Sequence, residues 1–133
     1  MKTMARNVET LSILFTGKYE TTFDYLAHPL HQKEWATQFV LEVEEVGGEY
    51  IATLPFGKMP LRINANKELG TLDIQMGDGK PTRTRLIEIE PGVCMYNFTL
   101  AQPPQMPDAV WFNEGLPNMK AELDQLKNIL EKS

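Results

Sequence analysis

The chain has 133 residues, 42% hydrophobic and 23% charged, with a formal net charge of −5. These values fit one soluble domain with a sizeable core and argue against a backbone-tracking nucleic-acid binder or a polybasic membrane-surface protein, both of which need a cationic face. No apolar run is long enough to span a bilayer, and the single cysteine, Cys94, rules out an intramolecular disulfide and fits a reducing compartment.

Met1–Glu9 lacks the apolar core and cleavage site of a secretory signal, so a cytoplasmic location is expected. Asn7 to Phe15 predicts a strand, with Leu11, Ile13 and Phe15 on one face. After Gly17, Tyr19, Phe23 and Leu26 have helical spacing. Pro29 opens a second short helix ending near Trp35, because proline is tolerated in a first helical turn.

From Gln38 the pattern becomes strand and turn. Phe39, Leu41 and Val43 alternate with Val40, Glu42 and Glu44, and Gly47-Gly48 marks a turn. Tyr50, Ala52 and Leu54 form the next inward face, followed by a loop from Pro55 to Pro60. Leu61, Ile63 and Ala65 alternate with Arg62, Asn64 and Asn66, then Leu72, Ile74 and Met76 with Thr71, Asp73 and Gln75. Gly77-Asp78-Gly79 and Pro91-Gly92 flank the strand Thr82–Glu90, where Ile87 and Ile89 are read as inward. Cys94, Tyr96, Phe98 and Leu100 form one face of the last strand.

Pro103, Pro104 and Pro107 exclude the next connection from the sheet. Phe112, Leu116, Met119, Leu123, Leu126 and Leu130 then make one apolar stripe of a helix over Asp108–Lys132. Lys120, Glu122, Asp124, Gln125 and Lys127 belong to its watered face. Gly115 and Pro117 interrupt its front, so the regular helix either starts near Pro117 or runs through with a kink. Leu123, Leu126 and Leu130 are expected to anchor the helix, and Phe112, Leu116 and Met119 to form an adjustable front half. The expected fold class is α+β: a curved antiparallel sheet of about seven strands, in the order β-α-α-β6-α, wrapped around the long C-terminal helix.

Phe23-Asp24-Tyr25-Leu26 followed by Glu34-Trp35, then Pro55-Phe56-Gly57, then Leu123, Leu126, Lys127 and Leu130 resemble the helix-grip superfamily (SRPBCC). It includes START lipid-transfer domains, the birch-pollen-allergen group, and the polyketide cyclase/dehydrase and lipid-transport group. The resemblance implies one helix-grip domain over the whole chain and a cavity between sheet and helix; a fold of this kind does not name a reaction.

A pocket mouth is expected where the connections are long: Pro55–Pro60, Gly77–Pro81 and Ala101–Pro107. Its expected walls are Trp35, Phe39, Leu54 and Phe56, with Met59, Leu61, Ile63, Ile74 and Met76 from the middle strands. Tyr96 and Phe98 add the last strand; Trp111, Phe112, Leu116 and Met119 add the helix. The methionines suit varied apolar shapes, although the same residues would equally fill a small core. If Ile87 and Ile89 face inward, Arg83 and Arg85 do too. Arg85 with Tyr96 would then anchor a carboxylate or enolate oxygen, or both arginines would sit at the rim with their heads in water.

Enzyme signatures are weak. His28 and His31 lack the further ligands of a metal site and read as helix-end or surface residues. Cys94 has no evident base and reads as core. Glu42, Glu44 and Glu45 read as a solvated strand face, and Gly77-x-Gly79 as a hairpin. Tyr50 and Tyr96 are inward candidates for orienting a carbonyl. The expected function is binding of a small hydrophobic ligand such as a lipid or polyketide, without metal or cofactor. The alternatives are a polyketide cyclase/dehydratase and a protein-interaction module with a filled core; the oligomeric state is left open.

Overall fold

The computed structural model describes residues 7–132, so residues 1–6 of the Met1–Glu9 stretch lie outside the described residues. Strand β1 (Val8–Thr16) leads into α1 (Tyr19–Ala27), a 3-10 turn (Pro29–His31) and α2 (Gln32–Trp35). Six strands follow: β2 (Glu42–Val46), β3 (Glu49–Leu54), β4 (Gly57–Asn66), β5 (Thr71–Met76), β6 (Thr82–Glu90) and β7 (Val93–Ala101). The C-terminal part is α3 (Asp108–Val110), a π-helical segment (Trp111–Gly115) and α4 (Leu116–Glu131). All strand pairs are antiparallel, in the order β1-β7-β6-β5-β4-β3-β2. The chain therefore starts at one edge, crosses through α1 and α2 to the other, and meanders back to β1.

Alternation explains which face of each strand is buried. Ile13 and Phe15, Ala52 and Leu54, Leu72 and Ile74, and Cys94, Tyr96 and Phe98 all enter the core as their parity requires. Leu123, Leu126 and Leu130 close that core from α4. Burying a side chain of this size stabilises by about 1.5–3 kcal/mol, so this row alone fastens the back of the helix.

Four expectations are corrected. First, β6 has the opposite parity: Thr84 and Leu86 are buried, while Arg83 and Arg85 are exposed and Ile89 is 50% exposed. The outer face is itself apolar at this end of β6, where Ile87 lies opposite Met95 and Met95 opposite Leu14, so Ile87 has apolar company outside the core. Second, β4 begins at Gly57, reducing the Pro55–Pro60 loop to the turn Pro55-Phe56. Pro60 fits within the strand because it lies at the end of β5, where its carbonyl accepts from Gly77 N–H at 2.8 Å.

Third, the chain from Ala36 to Val40 turns instead of extending, with Phe39 N–H and Val40 N–H both donating to Ala36 O. Glu122 of α4 holds this turn. Its Oε2 accepts from Gln38 N–H at 2.7 Å and Phe39 N–H at 3.1 Å. Glu122 is consequently buried at 5% exposure, not on the watered face. Burial pushes its carboxyl above the ordinary value, and the two N–H donors only partly offset this. Fourth, Phe112 is 52% exposed and Trp111 takes the buried place. Pro117 lacks an N–H and its ring crowds the carbonyl one turn back. The turn before it widens so that Leu116 N–H bonds to Trp111 O, five residues away. The apolar stripe thus steps back by five at this point instead of four.

At the β2 edge, Glu42 Oε1 accepts from the neighbouring Val43 N–H at 3.0 Å and from Lys33 Nζ at 2.6 Å. Gly70 joins β4 to β5 at φ +77°, and a Cβ there would lie 2.2 Å from Leu86 O. Gly47 also has positive φ, but open space surrounds it.

Gly70→Ala should therefore lower stability by more than about 2 kcal/mol, and Gly47→Ala by about 1 kcal/mol, in urea titrations. For Glu122, a raised folded pKa means that the folded state holds more protons, so this residue's stabilising contribution falls as pH rises from the ordinary carboxylate value through the raised one. Between about pH 4 and 7 the urea midpoint of Glu122→Gln should rise relative to that of the parent as pH increases; a pH-independent difference between the two would contradict this.

Candidate functional site

At the centre of the concave face stand three large rings. Trp35 meets Tyr96 and Phe98 edge-on, each with centroids 6.4 Å apart, and Tyr96 meets Phe98 at 6.4 Å. Leu54, Leu61 and Ile74 are buried around them, with Met59, Ile63 and Met76 packed against the cluster. These expected wall residues come together as a filled core. Edge-to-face rings of this kind stabilise beyond their burial alone. The Tyr96 hydroxyl is hydrogen-bonded to Thr84, and burial pushes its pKa up. Thr84 Oγ1 in turn donates to Leu72 O at 2.6 Å. Such a phenol is a structural donor and a poor acid.

The front of the helix forms a second environment. Trp111 is 1% exposed and Leu116 8%, yet both stand outside the main core cluster, whereas Met119 belongs to it. Trp111 Nε1 is buried and, among the described residues, has no hydrogen-bond partner. A buried indole N–H without an acceptor loses its water bond and gains nothing in return. The preceding connection is held by Gln102, 2% exposed, whose Nε2 donates to Met106 O at 2.7 Å and to Asp108 Oδ1 at 2.8 Å. Gln102 Oε1 accepts from Asn7 Nδ2 at 2.6 Å. Its amide was invisible in the apolar pattern, since it follows directly on the last strand.

Phe39 and Phe56 lie outside the core, 41% and 68% exposed, with ring centroids 6.0 Å apart. They mark the end of the molecule where the mouth was expected. Two concavities among the described residues lie toward the opposite end. One, of about 350 Å³, is lined by Pro29, Tyr50, Leu61, Arg62, Ile63 and Asn64, among others. The other, of about 320 Å³, includes Tyr19, Lys67, Leu69, Arg85 and Leu86. Arg85 therefore does not join Tyr96: its Nε donates to Leu69 O at 3.1 Å on the outer side of β6. The reversed strand parity is the reason, and an inward Arg85 anchor is withdrawn. The mouth is expected from loop length, but Pro55-Phe56 is a two-residue turn, and Phe39 and Phe56 lie outward.

His28, His31, Tyr25 and Tyr50 form a ladder of rings. Tyr25 stacks on His31 at 4.2 Å, His31 lies 5.0 Å from His28, and His28 meets Tyr50 edge-on at 5.8 Å. His28 Nδ1 accepts from Leu30 N–H, capping the 3-10 turn, and His31 Nδ1 contacts Tyr25 O. Both histidines are thus engaged in local structure. Cys94 is fully buried, contacts Gly17 O through Sγ at 3.5 Å, and has its thiol pKa raised by burial and, less, by Glu88. Among the described residues no group of three or more His, Cys, Asp or Glu side chains is placed to hold a metal ion, and no helix is long and apolar enough to cross a membrane.

No family model matches the chain, and no curated protein matches it. Solved structures do. An uncharacterised protein from Bacillus thuringiensis superposes with a TM-score of 0.70 at 12% identity, covering 93% of this chain and 98% of that one. A START superfamily protein from Mycobacterium smegmatis gives 0.63 at 9% identity, covering 94% and 97%. The di-domain ARO/CYC BexL from the BE-7585A biosynthetic pathway gives 0.67 at 9% identity, covering 92% of this chain and 45% of that one. Seven antiparallel strands, two short helices after the first and a long C-terminal helix, shared with these structures, make this the helix-grip fold of the START-like proteins and polyketide cyclases.

Proposed function

We propose that the chain binds a small hydrophobic molecule bearing one hydrogen-bond acceptor, between the sheet and the front of α4. The observation that carries this reading is the buried, partnerless Nε1 of Trp111. An acceptor on an otherwise apolar ligand satisfies that donor, while the ligand's apolar body replaces side-chain contacts. Trp111 and Leu116 stand apart from the main core cluster, so the front half can move without opening the Trp35–Tyr96–Phe98 centre. The π segment supplies the weak point, because its widened turn already departs from regular helix geometry. The START protein and BexL have this fold in common with the chain, which supports ligand binding as the class of activity.

A second reading rests on the exposed Phe39–Phe56 pair, which suits docking against another protein through a filled, rigid module. The cyclase alternative draws its support from the likeness to BexL alone.

Indole N–H resonances of 15N-tryptophan-labelled protein separate these readings, with decanoic acid and 2-undecanone as probes. A saturable shift of the Trp111 resonance with little change at Trp35 is expected. Trp111→Phe should weaken binding about fivefold, the worth of one hydrogen bond of about 1 kcal/mol. Amide exchange should be faster over Trp111–Leu116 than over Leu123–Leu130. An unshifted Trp111 resonance, together with equal protection of both halves of the helix, would overturn the proposal.

A further inference from the structure

The connection from β7 to α3 is a short strap, residues 103–107. Pro103, Pro104 and Pro107 fix three of its backbone φ angles, and Met106 N–H donates to Pro103 O at 3.0 Å, closing a turn inside it. A segment this stiff moves as a unit. Its far end joins the helix, where Pro107 O accepts from Trp111 N–H at 3.0 Å. Its near end is fastened by Gln102.

Gln102 itself belongs to the sheet. Its N–H donates to Asn7 O at 2.8 Å and its Oε1 accepts from Asn7 Nδ2 at 2.6 Å, just before β1. Its Nε2 reaches the other way, to Met106 O at 2.7 Å and Asp108 Oδ1 at 2.8 Å. One buried amide therefore ties the strap to the sheet edge. The strap carries Met106, which is half-buried. A Cβ on Gly115 would lie 3.6 Å from Met106 Sδ and 3.5 Å from Trp111 Cε3, so the thioether and the indole meet over a stretch of helix that has no side chain. Trp111 is 1% exposed although it stands outside the main core cluster. Local neighbours thus keep water from it, and Met106 is a neighbour borne on a separate segment.

We propose that the 103–107 strap is a lid over Trp111, with Met106 as its closing side chain and Gln102 as the pin that sets how often it opens. Release of the two Nε2 bonds frees the strap, while Gln102 keeps both bonds to Asn7. Met106 then leaves Gly115, and solvent reaches the Trp111 N–H. Asp108 is exposed, so water competes for its carboxylate and the pin releases without unfolding of the sheet. A thioether is flexible and polarizable, so a lid of this kind admits apolar bodies of varied shape. What the lid admits rests on the ligand reading above; its opening is a property of the ligand-free chain.

The test is solvent exchange of the two indole N–H groups in the ligand-free, 15N-tryptophan-labelled full chain. Gln102→Leu removes both pinning donors and should speed exchange at Trp111 about tenfold or more. Met106→Ala removes the closing side chain and should speed it at least about threefold. In both variants, exchange at Trp35 and at the amides of residues 123–130 should stay within about twofold of the parent. Unchanged Trp111 exchange in Met106→Ala overturns the proposal, and does so even if Gln102→Leu fails to fold. Equal acceleration at Trp111 and Trp35 overturns it as well, since that is the mark of residues serving overall stability alone. No ligand is present in these measurements, so an unshifted Trp111 resonance in the 2-undecanone titration removes the ligand reading and leaves the lid to be judged by exchange.

Discussion

The perpendicular packing of Trp35 on Tyr96 and Phe98 is the contact on which the architecture turns. A seven-stranded sheet that coils but does not close has one concave face to cover, and α4 alone is too narrow for it. The crossover from β1 to β2 supplies the rest. α1 buries Phe23 and Leu26, and α2 delivers Trp35 to the rings of β7. β7 is also the strand that β1 rejoins, so the same rings sit beside the seam where the first strand meets the last. The back of α4 then needs only to add Leu123, Leu126 and Leu130.

The element order was readable because alternation and helical spacing are strong over most of this chain. The inward face of Tyr96 and Phe98, the tight turn at Gly47-Gly48 and the anchoring leucines all followed from it. Where the reading failed, a second apolar surface or a backbone irregularity had intervened. On β6, Ile87 and Ile89 outcompete Thr84 and Leu86 in hydropathy, yet Thr84 is the inward residue because its hydroxyl serves Leu72 O and Tyr96. In the helix, one extra residue in the turn before Pro117 exchanged Phe112 for Trp111. A widened turn leaves no mark in periodicity except the proline that causes it.

The candidate sites were less legible than the fold, for a related reason. Apolar strand residues look alike whether they fill a core or line a pocket, and here Trp35, Tyr96 and Phe98 fill it. What distinguishes Trp111 from them is a missing partner for one nitrogen, a property of three-dimensional surroundings. Glu122 is the converse case: a charged residue on a helix reads as solvated until a turn from elsewhere in the chain closes over it.

The carboxylate of Glu42, bound to the N–H of Val43, has a bearing on colloidal behaviour. β2 is an outer strand of an open sheet, the kind of edge along which copies of a protein stack into fibrils. By occupying Val43 N–H, Glu42 denies an incoming strand one of the few donors it would need. The bond to Lys33, and secondarily that N–H, hold the Glu42 carboxyl below the usual range, so the guard persists into mild acid. Strong acid removes it. Hindrance to pairing along β2 is thus tied to proton concentration at that strand.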